Sequence, residues 1–136
     1  MNEANVQQAV PFFRVTDMEA SLRFYVQGVG FEITNKWIVE GSIRWCWLQL
    51  GGAALMLQEF HLRQPPVDVL GAGVSVSFMC RDAIAIYHAL KSRGLNASKP
   101  FVGNGLWVTG VRDPDGYFIE FQSPTDVPEE TEYSEP

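Results

Sequence analysis

Residues 10–15 form a short apolar run ending in Thr16-Asp17, and the stretch after it places Met18, Leu22, Tyr25, Val26 and Val29 on one face of a helix. Gly28 and Gly30 stop that pattern. Thr16-Asp17-Met18-Glu19 at its start has the form of a capping box, in which the Thr side chain and the Glu three places on satisfy free backbone N–H groups. Three strand-like segments follow, 31–38, 43–50 and 53–59, with Gly41 and Gly51-Gly52 marking the turns. The same order then recurs. Residues 75–80 read as a strand, Asp82 as an N-cap and 83–93 as a helix stopped by Gly94. Strand-like pieces at 97–102, 107–112 and 117–122 are separated by Gly103-Asn104-Gly105 and by Asp113-Pro114-Asp115-Gly116, which suits a type I turn. Asp17 and Met56 stand 39 residues apart, Asp82 and Glu120 38 apart. The pattern predicts an α+β chain of two tandem βαβββ modules, about 8–60 and 73–124, joined by a linker over 61–72 that holds Pro65-Pro66.

Side chains alternate between the faces of a strand, so each strand sorts its residues into two sets. One set is uniformly apolar, as a helix-covered face should be: Phe13 and Val15, Leu55 and Leu57, Val76 and Phe78, Ile119 and Phe121. The other mixes aromatic and polar groups: Phe12 and Arg14, Met56 and Gln58, Ser75 and Ser77, Phe118 and Glu120. The same alternation leaves Trp45 and Trp47 on the mixed face and predicts Trp107 and Thr109 beside them from the equivalent strand of the second module. A concave surface of aromatics with a few placed polar groups suits a small-molecule site, and equally suits an interface with a second subunit.

Composition narrows the class. The chain of 136 residues has 46% hydrophobic and 19% charged side chains, which is globular. Its formal charge of −6 gives no basic face for nucleic acid. Five of those charges fall in residues 125–136, which carry acidic groups and no basic one; this end reads as a solvated, disordered tail, and residues 1–124 hold 11 acidic against 10 basic groups. Near-neutrality of the folded part leaves an uncharged aromatic ligand as well suited as a cation. Residues 1–10 lack the basic and apolar regions of a leader, and no apolar run approaches a membrane span, so a cytoplasmic protein without membrane partners is expected. Cys46 and Cys80 make no disulfide framework, and His61 and His88 are too few for a His-rich metal site.

Two βαβββ units, with Phe24-Tyr25 then Gly28-Val29-Gly30-Phe31 after the first helix and Asp113-Pro114-Asp115-Gly116-Tyr117-Phe118-Ile119-Glu120-Phe121 near the end, resemble the vicinal oxygen chelate superfamily. That group includes glyoxalase I, extradiol dioxygenases, fosfomycin resistance enzymes and bleomycin resistance proteins. The resemblance implies a curved mixed sheet around a concave cavity with the helices on its convex face. In metal-dependent members four side chains on the concave face hold a divalent cation. Those places fall here on Val10, Met56, Ser75 and Glu120, of which only Glu120 is a ligand of the expected kind. A Val and a Met thioether with one carboxylate do not make a zinc, iron or manganese site, so no metal and no cofactor are expected.

The resemblance is therefore to the metal-free bleomycin resistance type, which implies a homodimer that binds planar aromatic drugs in grooves between subunits. The alternatives are a metal-dependent lyase, dioxygenase or isomerase of the same superfamily, and a degenerate member that only contacts another protein. Glu120 has three readings: a partner for Arg14, Ser75, Ser77 or Gln122; an anchor for a ligand amine or hydroxyl; or a general base. The expected ligand-binding set is Phe12, Arg14, Trp45, Trp47, Met56, Gln58, Ser75, Ser77, Trp107, Thr109, Phe118 and Glu120.

Overall fold

A computed structural model of the chain describes residues 5–61 and 69–135. The first module runs β1 (Phe12–Val15), α1 (Met18–Leu22), β2 (Glu32–Val39), β3 (Ser42–Leu50) and β4 (Ala53–Glu59). The second runs β5 (Ser75–Met79), α2 (Ala83–Ser92), β6 (Phe101–Gly103), β7 (Leu106–Arg112) and β8 (Phe118–Pro124). Each module forms its own four-stranded mixed sheet, in the orders β1-β4-β3-β2 and β5-β8-β7-β6, with one parallel pair beside two antiparallel ones. The predicted βαβββ repeat is thus present twice. Most of the linker, with Pro65-Pro66, lies outside the described residues.

The repeat extends to the capping of the helices. Asp17 accepts from the Ala20 N–H and Asp82 from the Ala85 N–H, three residues on in each case. The first N–H of each helix is then met by a side chain from the last strand of its module: Met18 by Glu59 at 3.1 Å, Ala83 by Ser123 at 2.9 Å. Capping in the first module thus falls to Asp17, because Thr16 is taken up elsewhere: its N–H and hydroxyl both donate to Asp115 of the second module. Beyond α1 the chain continues as a π-helical segment, Arg23–Val29, whose wider turns bring Phe24, Tyr25, Gly28 and Val29 against the core together.

The helix-side faces of both sheets share one core. Phe13, Tyr25, Phe31 and Leu57 from the first module pack in the same cluster as Leu90, Val111, Ile119 and Phe121 from the second. Burying these apolar side chains together is the main stabilising term, on the order of 1.5–3 kcal/mol for each large one. With the core between the modules, the mixed faces are directed away from it, and the expected single curved sheet is resolved into two sheets.

Two expectations are corrected at the C-terminal end. Residues 125–135, expected as a disordered tail, dock on the outer edge of the second sheet: the Val102 N–H donates to the Thr131 carbonyl and the Glu130 N–H to the Val102 carbonyl, the Tyr133 N–H donates to the Pro100 carbonyl, and Phe101 bridges Glu132. Glu129 folds back to accept the Asn104 and Gly105 N–H groups at 2.6 and 2.8 Å. The acidic groups therefore work as acceptors and partners, Lys99 to Glu132 at 3.2 Å among them. Strand β6 is also shorter than expected, since residues 97–100 serve as a connection.

Candidate binding faces and a cleft

On the first sheet the mixed face is set by register. Trp37 pairs with Trp45, Trp45 with Gln58 and Gln58 with Arg14, so these four form one row across β2, β3, β4 and β1. The next row is Asn35, Trp47, Met56 and Phe12. Trp37 is 55% exposed and Phe12 46%, far more than large aromatics in a monomer's core. Trp47 is held by its own neighbour, its indole N–H donating to Gln49 Oε1 at 2.9 Å. The arrangement offers three indoles with an amide and a guanidinium at one end, a surface on which a planar molecule can stack while its polar groups are read.

On the second sheet Ser77 pairs with Glu120 and Ser75 with Phe118. Ser77 Oγ donates to Glu120 Oε1 at 3.4 Å and accepts from Gln122 Nε2 at 2.9 Å. Among the described residues no salt bridge joins Glu120 to Arg14, which stands on the other sheet. A hollow of about 560 Å³ brings Ser75 and Phe118 together with Arg112 and Asp115.

Trp107 and Thr109 are not on this face. Thr109 pairs with Phe121 and Trp107 with Ser123, both on the helix side; Thr109 is fully buried with its hydroxyl donating to the Ser98 carbonyl at 2.6 Å. Trp107 instead packs edge-on against Tyr133 of the docked tail. The cause is the length of the last turn. Tyr117, expected as a strand residue, closes the turn: its N–H donates to Asp113 Oδ1 and its carbonyl accepts the Asp113 N–H at 2.8 Å. Five residues then separate Arg112 from Phe118, so even-numbered residues pair with even, whereas the two-residue Gly51-Gly52 turn pairs odd with even. Val108, Gly110 and Arg112 face Glu120 instead. Gly110 leaves room for the Phe118 ring, and Arg112 lies over that ring, its Cζ 4.9 Å from the centroid. Arg112 was missed for the same reason; the signal was the parity of the turn.

The family's metal positions are tested by their donor chemistry. Val10 supplies no donor, Met56 a soft thioether, Ser75 an exposed hydroxyl and Glu120 one carboxylate, a set that does not fit a divalent cation. No group of three or more His, Cys, Asp or Glu side chains is gathered among the described residues. His88 is at the surface of α2, 3.2 Å from the Tyr133 hydroxyl. No helix among the described residues is long and apolar enough to cross a membrane.

A larger cleft, about 1070 Å³, lies elsewhere, between the Gly51-Gly52 turn, the end of β5 and α2.

The model of the Glyoxalase/Bleomycin resistance protein/Dioxygenase superfamily matches residues 6–121. Among proteins of curated function, none matches the sequence. Solved structures that share the fold include TnmS3, an antibiotic binding protein from Streptomyces sp. CB03234, at TM-score 0.72 and 23% identity over 90% of this chain and 100% of that one. The bleomycin resistance determinant encoded on transposon Tn5 has TM-score 0.70 and 23% identity over 90% and 100% of the two chains. A bleomycin-binding protein complexed with bleomycin has TM-score 0.69 and 23% identity over 87% and 98%.

Proposed function

The chain belongs to the Glyoxalase/Bleomycin resistance protein/Dioxygenase superfamily, and from that membership we propose that it is a cytoplasmic small-molecule binding protein for a planar aromatic ligand of the antibiotic class, working without the divalent metal of its enzymatic relatives. The observation that carries the reading is the row of Trp37, Trp45, Gln58 and Arg14, aligned by register on a half-exposed sheet face. Structures of the same fold named for antibiotic or bleomycin binding support the ligand class. The donor set at the family's metal positions, Val10, Met56, Ser75 and Glu120, supports the absence of a resident metal.

The same geometry supports a homodimer. Each mixed face is directed away from the shared core, so a ligand covered on both sides needs a second copy to supply the other wall. In that groove Trp45 and Trp47 stack the ligand; Arg14, Gln58, Ser77 and Glu120 read its polar groups, with Phe12, Met56, Ser75 and Phe118 as apolar and small contacts. Arg112 takes the place that Trp107 and Thr109 do not fill.

Tryptophan emission during titration with bleomycin and other planar aromatic antibiotics tests the reading. Saturable quenching is expected, weakened about tenfold or more by Trp45→Ala or Trp47→Ala. Stoichiometric zinc, iron, nickel or manganese in the purified protein would favour the metal-dependent alternative. Sedimentation of a monomer at every concentration would remove the dimer.

A further inference from the structure

The two modules are related residue by residue, and at one junction they differ. In the first copy of the junction the turn of the second module closes over the end of β1. The Tyr117 ring stacks on Phe13, 4.2 Å between centroids and 4° from parallel, and its hydroxyl donates to the Arg14 carbonyl at 2.7 Å. Asp115 accepts the Thr16 N–H at 3.1 Å. A phenol ring and a carboxylate thus fill the space beside an edge strand and the residue before the N-cap.

The related junction lies at the end of β5, and the register and caps identify its members. Phe12 pairs with Met56 as Ser77 pairs with Glu120, and Asp17 caps as Asp82 does. Phe78 therefore corresponds to Phe13, Met79 to Arg14, Arg81 to Thr16 and Ala53 to Tyr117. The turn that should cover this end has two glycines in place of five residues, and Ala53, aligned with Tyr117, offers a methyl group where the other junction has a phenol. The result is the cleft of about 1070 Å³, lined by Phe78, Phe121 and Leu90 with Arg81 and Arg93. Arg93 also donates to the Gly28 carbonyl at 3.1 Å, and Asp82, which lines the cleft too, is engaged as the cap of α2. The Arg81 N–H, counterpart of the one that Asp115 binds, makes no hydrogen bond within the described residues.

We propose that this cleft is a second binding site, separate from the aromatic sheet faces, for a small phenolic carboxylate that reproduces what Tyr117 and Asp115 supply in the other module. Its ring lies on Phe78, its hydroxyl donates to the Met79 carbonyl and its carboxylate accepts the Arg81 N–H beneath the Arg81 and Arg93 guanidinium groups. The apolar floor provides burial of the ring, and the two arginines select the anion over its neutral analogue.

The test uses 3-(4-hydroxyphenyl)propionate as probe, followed by amide chemical shifts of the full chain. Saturable shifts at Gly52, Ala53, Arg81 and Asp82 are expected, with the corresponding propanamide binding about tenfold more weakly. Ala53→Tyr restores the missing phenol and should abolish the shifts while keeping a dispersed spectrum; Arg81→Glu, which adds no bulk, should weaken binding by a similar factor. The proposal is overturned if no cleft amide responds at millimolar probe, if the shifts fall on the Trp45 face instead, or if the amide binds as well as the acid. It is also overturned if folded Ala53→Tyr, or Arg81→Glu should the former not fold, binds as the parent does.

Discussion

The Tyr25 hydroxyl, carried on the π-helical segment of the first module, donates to Asp113 Oδ2 in the last turn of the second at 2.8 Å. The pair is buried, and the same carboxylate accepts the Asp115 and Tyr117 N–H groups through its other oxygen at 2.9 Å each. Asp113 thus shapes the turn and ties it to the other module. Burial pushes its pKa up, more than its hydrogen bonds from Tyr25, Tyr117 and Asp115 pull it down.

That balance sets a pH dependence. A carboxyl raised in the folded state stabilises the fold fully below its unfolded value, and the contribution is lost as pH rises through the folded value. Asp113→Asn, which carries no charge to desolvate, should gain on the parent between pH 4 and pH 7 in urea unfolding. Asp113→Ala leaves three donors without their acceptor and should lose about 2–4 kcal/mol at either pH.

Ser21 is the converse case. Its hydroxyl is fully buried, and among the described residues its Oγ has no hydrogen-bond partner. Ser21→Ala removes an unpaired polar group at almost constant shape, so a gain of about 1 kcal/mol is expected by chemical denaturation.

Gly110 tests the packing of the second mixed face. A Cβ there would overlap Phe118 Cζ. Gly110→Ala should cost about 1–3 kcal/mol by forcing the ring aside. In a Phe118→Ala background the same change should be nearly neutral, and equal costs in both backgrounds would mean that the ring is not the obstacle.

The tail should behave as a structural element. Deleting residues 126–136 removes the Glu129 bonds to the Asn104 and Gly105 N–H groups and uncovers Trp107. A loss of about 1–3 kcal/mol and a red shift of tryptophan emission are expected. Tyr133→Ala alone should give the red shift with a smaller loss.

The two thiols should separate in labelling. Cys46 is fully buried and its pKa is pushed up to about 11, chiefly by that burial. Cys80 is also raised, yet it is only partly buried and lines the large cleft. Iodoacetamide under native conditions at pH 8 should give a single adduct, at Cys80.

The first module was legible almost entirely, because Gly51-Gly52 is an unmistakable turn and its length transmits strand parity from Met56 to Trp47 and Trp45. The second was not, because Tyr117 has the residue type of a strand and the backbone bonds of a turn. That one misplaced residue carried Trp107 and Thr109 to the wrong face and hid Arg112. The tail was misread because composition reports charge and not the acceptors that Asn104 and Gly105 lack without Glu129. The large cleft was invisible for another reason: it arises from an absence, a methyl group at Ala53 where the repeat has a phenol at Tyr117.

The docked tail also decides how copies of the chain can meet. With residues 125–135 lying along β6, that edge of the second sheet is already covered, and β5 is its other edge. The outer strand of the first sheet, β2, is interrupted by irregularities between Ile33 and Asn35 and between Trp37 and Ile38 and carries Lys36 on its length. The β6 edge is thus closed to a second copy and the β2 edge is blunted by its bulges and its lysine, so neither is a flat template along which strand pairing could propagate into a fibre.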